Sequence, residues 1–189
     1  MTAHTNAYSL MKPRSWVLEL PVLLAFNLLL AGCAYVTIHL PFSPVPITGQ
    51  TFGVLLVAMA LGRTRGTAVV AAYVMEGALG LPVFAGGTTG PAILVGPTGG
   101  YLLGFVAAAA VVGFLADRGW SRTLGLSLLA MTIGTAIIFA VGLAQLSLFV
   151  PADLLLATGF TPFLIGGAIK IALAGGVLPA VWSFLGKRG

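Results

Sequence analysis

Lys170 stands near the middle of an apolar run from Pro162 to Leu185. A lysine at the centre of a bilayer costs roughly 2.5–3.5 kcal/mol even on insertion scales, so it has to face the protein interior and find a partner. Its helical neighbours Gly166, Gly167 and Ala174 are small, which suits a closely packed face or an open cavity. Two kinds of partner are open to it: an anionic group on a ligand, or an internal carboxylate. Glu76 is the candidate carboxylate, and it shares a face with Ala68, Ala72 and Gly80 at i, i+4 spacing. It can pair with Lys170, accept hydrogen bonds from a ligand, or sit protonated. Gln50 and Thr48 open another apolar segment, and Tyr73, Phe84 and Tyr101 bring aromatic rings to the same end. Aromatic walls with a few polar contacts describe a small-molecule pocket.

Constellations for catalysis are missing. Gly96-Pro97-Thr98-Gly99-Gly100 is glycine-rich, but no Lys-Ser/Thr follows, so it does not cradle a nucleotide. Ser127 and Ser147 have no histidine in their own segments to act as a base. His4, His39 and the lone Cys33 are too sparse for a metal site or an internal disulfide. The expectation is a binding protein without metal or cofactor, and no enzyme.

The elements that position these residues are membrane elements. Of 189 residues, 59% are hydrophobic and 7% charged, whereas a soluble domain carries about a quarter charged residues. The net charge of +5 does not point to nucleic acid, because the cations sit between apolar segments instead of clustering on a soluble face. After a polar tail, 1–15, the pattern predicts one six-helix domain over 16–189. The first span runs from Trp16 to about His39, and three prolines then make Leu40–Ile47 an extended connection. Thr48–Leu61 and Thr67–Gly80 are each short for a span, with Arg63 and Arg65 at a tight turn between them. Spans four to six follow at Gly99 to about Ala116, Thr123–Phe149 and Pro162–Leu185, with Pro151–Thr161 as a loop.

The uncharged stretch Leu81–Phe105, running from the third span into the fourth, is broken by glycines and by Pro82, Pro91 and Pro97. Irregular backbone at membrane depth is tolerated only where it is buried in protein or lines a cavity, so this stretch is the expected floor or lid of the site. The charges set an orientation. Lys12, Arg14, Arg63, Arg65, Arg118, Arg122, Lys187 and Arg188 all fall on one side of a six-span arrangement, and the opposite loops carry only Asp153. The positive-inside rule then places both termini in the cytoplasm and the Pro/Gly-rich loops outside.

Three motifs in order, PFSPVPITGQTFGVLL (Pro41–Leu56), YVMEGALGLPVFAGG (Tyr73–Gly87) and GPTGGYLLGF (Gly96–Phe105), resemble the signatures of the BioY family. These are the biotin-binding S components of prokaryotic energy-coupling factor (ECF) transporters. The resemblance covers nearly the whole chain from the first span. It implies an all-α, six-helix S-component fold in the plasma membrane with biotin bound near the outer side. It also implies a partner module of a transmembrane coupling protein and two ATPase subunits. The sixth helix of the family reads Gly-Asp-x-x-Lys; Lys170 is kept here, but Gly167 stands at the aspartate position. The resemblance also implies a small-residue face on the first helix for docking the coupling protein, for which Ala31, Gly32 and Ala34 are the candidates.

Biotin suits the residues. Its ureido group donates and accepts hydrogen bonds, its bicycle is compact and partly apolar, and its tail ends in a carboxylate. Lys170, Gln50 and Glu76, the rings of Tyr73, Phe84 and Tyr101, and backbone opened by Gly86 and Gly87 complement those parts. Three other readings stay open: an S component for another small vitamin, a solitary proton-coupled carrier using Glu76 and Lys170 as a relay, and a membrane scaffold without a ligand.

Overall fold

The structure, a computed structural model, describes residues 16–186. The tail 1–15, with Lys12 and Arg14, and the terminal Lys187 and Arg188 lie outside the described residues. The order is α1 (Trp16–Tyr35), β1 (Thr37–Ile38), β2 (Ile47–Thr48), α2 (Gln50–Ala78), α3 (Pro91–Val95), α4 (Gly99–Asp117), α5 (Leu124–Leu146), α6 (Ala152–Gly159) and α7 (Leu164–Gly186). Short 3-10 turns lie at Ala85–Gly87, Trp120–Arg122 and Thr161–Phe163.

Although α2 is continuous in hydrogen bonding, it is not one rod. Gly62 has φ 77° and ψ −174°, far from helical values. The side chains of Gln50 and Tyr73 meet at 2.7 Å, whereas a straight helix would hold them about 35 Å apart. The chain therefore reverses at Gly62, and the element is a hairpin of arms 50–61 and 63–78. Its arms lie so close that a Cβ on Gly66 would stand 2.9 Å from the Ala58 Cα. The short pair expected from the arginines between two apolar stretches is present. With α1, α4, α5 and α7 it makes six long helices among the described residues, beside the short α3 and α6.

The helices close around a core. α1 packs on α2, α2 on α4, α4 on α5, α5 on α7, and α7 returns to α2. The first arm of α2 supplies Val54, Leu55, Val57 and Ala58, and α4 supplies Ala108, Ala109 and Val112, all buried to within 1% exposure. Outward faces stay apolar, as Leu24 and Leu28 on α1 and Ile165 and Ile169 on α7 show. Water would penalise those faces, and lipid does not.

Three expectations change. Leu40–Ile47, expected as extended, instead turns back on itself: the Ser43 N–H donates to the Leu40 carbonyl at 3.3 Å, and the loop is closed at its base by a two-stranded antiparallel ribbon, Thr37 opposite Thr48 and Ile38 opposite Ile47. Residues 151–161, expected as a loop, contain the two-turn helix α6. Pro151 caps its start and Asp153 lies in its first turn, both features of a helix N-terminus. The third correction concerns the docking face on α1. Ala31 is 9% exposed and Ala34 0%, because the small face packs inward on α2. A Cβ on Gly53 would come within 3.3 Å of Cys33. Of the three, Gly32 alone stays exposed.

Candidate functional site

At the end of the bundle opposite the Gly62 turn, the helices splay around a cavity of about 300 Å³. Its floor comes from the first arm of α2, through Thr48 just ahead of it and then Gln50, Thr51 and Leu55. α4 contributes Tyr101, Leu102 and Phe105; α5 adds Thr135, Ile138 and Phe139; α7 adds Gly167 and Lys170. The glycine-rich stretch supplies Phe84, Ala85, Thr88, Pro97 and Thr98, and the proline segment supplies Pro44, Val45 and Pro46. Both irregular segments thus line a cavity, which is how membrane proteins accommodate non-helical backbone.

One wall is a cluster of rings, one pair edge-on and two pairs tilted. Tyr101 and Phe139 have centroids 6.2 Å apart at 87°, and Phe163 lies 5.9 Å from Phe139 and 6.5 Å from Tyr101. Such pairs hold each other by quadrupole attraction beyond area burial. The Tyr101 hydroxyl donates to the Gly159 carbonyl at 2.8 Å, and Ser43 Oγ donates to the Thr158 carbonyl at 2.7 Å. The C-terminal end of α6 is therefore tied to the aromatic wall and to the proline segment.

The polar corner is built around Thr48. Lys170 Nζ donates to the Thr48 carbonyl oxygen. The Thr48 hydroxyl donates to Gln50 Oε1 at 2.8 Å, Gln50 Nε2 donates to the Tyr73 hydroxyl at 2.7 Å, and Tyr73 donates to the Val83 carbonyl at 2.8 Å. Each link uses one donor and one acceptor, so the chain has a direction and locks Gln50 in place. Gln50 keeps one N–H and one lone pair for a ligand. Among the described residues, no carboxylate side chain lines the cavity. The Lys170 ammonium has no carboxylate partner among the described residues, and Gly167, one turn away, adds no side chain.

Of the residues singled out in the sequence, Lys170, Gln50, Phe84 and Tyr101 line the cavity. Tyr73 is fully buried behind Gln50, where its ring meets Phe84 edge-on at 5.8 Å. Glu76 lies outside the lining and accepts a hydrogen bond from Asn27 Nδ2 at 3.2 Å, so the pairing with Lys170 is not present. Gly86 and Gly87 lie outside it too. Their positive φ values, 61° and 82°, shape the turn between Ala85 and Thr88, and they face His39 and Tyr35 respectively. Lining residues not singled out include Thr135, Phe139 and Phe163. They sit in stretches apolar all round, where no sequence period separates a cavity face from a lipid face.

A family model described as the BioY family matches residues 6–187. The biotin transporter BioY of Thermotoga maritima is 43% identical over 138 residues, 72% of this chain and 80% of that protein. The biotin transporter BioY of Rhizobium etli is 36% identical over 145 residues, 72% of this chain and 78% of its own. Biotin transporter BioY2 of Lactococcus lactis is 32% identical, over 80% of this chain and 86% of that one. Among solved structures, the S-component for biotin from an ECF-type ABC transporter superposes with a TM-score of 0.76 at 25% identity. The match covers 89% of this chain and 94% of that one.

Proposed function

Because this chain belongs to the BioY family, we propose that it is the biotin-binding S component of an ECF-type vitamin uptake transporter. The observation that carries the reading is the cavity itself. About 300 Å³ lies at the small end of ligand pockets. Its aromatic wall suits a compact, partly apolar bicycle, and Lys170 offers a charge to a carboxylate tail. Lys170, Gln50, Phe84 and Tyr101 are the proposed ligand contacts, with Thr98 and Thr135 as further hydroxyls on the wall. Tyr73 acts behind them by holding Gln50. Binding needs no cofactor in this reading.

The chain offers no nucleotide cradle, so inward transport takes its energy from a partner. We assign that role to a transmembrane coupling protein with two ATPase subunits. The solitary-carrier reading loses its support, since Glu76 and Lys170 hold different partners and no polar path links them among the described residues. The membrane is proposed to be the prokaryotic plasma membrane with both termini inside. In support, Arg63, Arg65, Arg118 and Arg122 belong to turns at the end away from the cavity.

Two measurements test this. Purified chain should retain labelled biotin in detergent, displaced by excess biotin and not by vitamins lacking a ureido ring. In liposomes, the chain alone should fail to accumulate biotin under an imposed proton gradient, and adding an ATP-hydrolysing coupling module should restore uptake. Gradient-driven accumulation by the chain alone would overturn the division of labour.

A further inference from the structure

The segment that brings Ile93, Pro97 and Thr98 to the cavity has little burial of its own to hold it. Its helix α3 has five residues, none of them buried, and Val95 at its end is 74% exposed. A helix of that length is not stable by itself. Two clamps fix it instead. At its start, the Gly77 carbonyl on the second arm of α2 accepts both the Thr89 hydroxyl at 3.1 Å and the Gly90 N–H at 2.8 Å. At its end, Gln145 on α5 donates from Nε2 to the Leu94 carbonyl and to the Gly96 carbonyl, each at 2.8 Å. The second clamp depends on the two glycines that open α4. A Cβ on Gly99 would stand 2.6 Å from Gln145 Nε2, and one on Gly100 would stand 2.7 Å from the Gln145 Cβ. The segment and the start of α4 thus sit together against one side chain of α5.

The chemistry of the clamp is specific. A primary amide carries two N–H donors on one uncharged nitrogen, which matches two carbonyls two residues apart. A carboxylate of the same shape would turn oxygen toward oxygen. Pro97 and Thr98 directly follow the second clamped carbonyl, and the Thr98 hydroxyl makes no capping bond to α4. Gln145 does not itself line the cavity, so it acts through the segment it holds. We propose that Gln145 is a positioning residue for the ligand: it latches Leu94 and Gly96 to α5 and so keeps Pro97 and Thr98 at the wall while the ligand is bound. This role rests on the biotin-binding reading for its ligand, whereas the latch is a property of the chain alone.

Two readouts on the purified full-length chain in detergent test the latch. In ligand-free protein, amide hydrogen exchange in peptides covering residues 91–99 should be roughly tenfold faster in Q145M than in wild type, as expected when one or two ordinary hydrogen bonds are lost. Exchange around Ala108 and Val112 in the core of α4 should stay the same. With labelled biotin, Q145M should release the ligand about tenfold faster, with little change in association. Q145E separates a latch from a packing role, because it keeps the length of the side chain. At about pH 8 its carboxylate has no donor for the two carbonyls, and at about pH 5 protonation restores one. The ratio of its release rate to that of wild type should therefore fall between those pH values, while the ratio for Q145M stays constant. Wild-type exchange in Q145M, or a Q145E ratio that is the same at both pH values, would overturn the latch. Fast exchange with wild-type release would overturn the positioning role. A wild-type chain that binds no biotin would overturn the ligand reading, and the exchange comparison would still decide the latch.

Discussion

Lys170 and Glu76 are both ionisable groups in apolar helices, and the structure gives them separate company. The carboxylate accepts from Asn27 on α1, and the ammonium donates to a backbone carbonyl at the edge of the cavity. A backbone oxygen satisfies one of three ammonium donors and none of the charge, and a carboxylate ligand can supply both. Lys170→Ala should therefore weaken biotin binding by roughly 2–5 kcal/mol, as for truncating a buried charge pair. The loss should be much smaller for biotin methyl ester, and Glu76→Gln should leave both affinities nearly unchanged. Calorimetric titration of acid and ester against each variant forms a cycle that separates charge recognition from general damage. An equal loss for acid and ester in folded Lys170→Ala would remove the carboxylate assignment. At this scale the sequence was readable wherever a residue stood out against its surroundings. A lysine in a span is conspicuous, as are rings beside a glycine-rich stretch. Phe139 is not, because an aromatic in an apolar helix looks the same facing ligand or lipid. Tyr73 was conspicuous for a different reason from the one that matters, since its hydroxyl is spent on Gln50 and Val83.

Among the elements, the hairpin was legible and the role of the α1 face was not. Two arginines between apolar stretches too short to span leave little choice but a reversal. Small residues on α1 announce close approach without naming the neighbour, and the neighbour is α2 of the same chain. α6 was hidden because eight residues show too little periodicity to separate a helix from a loop. The segment carrying Phe84 is held by a comparable fit. The Phe84 ring is 1% exposed and lies directly on Gly77, where any Cβ would overlap it. Gly77→Ala should therefore push the ring outward, shift Ala85 and Thr88 at the cavity wall, and destabilise the protein by about 1–3 kcal/mol, as overpacking does. Faster biotin dissociation and a lower melting temperature would report it, and Phe84→Leu in the same chain should recover part of both. If the double variant is no better than Gly77→Ala alone, the ring is not what the added methyl displaces.

Across the whole molecule, the cavity and the loop arginines occupy opposite ends, which makes sidedness a single measurable property. With Cys33 replaced by serine, a cysteine at exposed Thr88 should react with an impermeant thiol reagent added outside intact cells. One at exposed Thr123 should react only after permeabilisation. Reaction at Thr123 from outside would invert the proposed topology. The reversal at Gly62 also bears on how the molecule is made. Ala58 meets Gly66, so the Ala58 face of the first arm, unlike its Gly53 face on α1, acquires its packing partner only when the chain beyond the turn has left the ribosome. Until then a helix too short to be a comfortable span waits in the bilayer with a bare small-residue face. Synthesis in order thus makes this hairpin a commitment step: the arms are retained together, and the later helices close around a pair already formed.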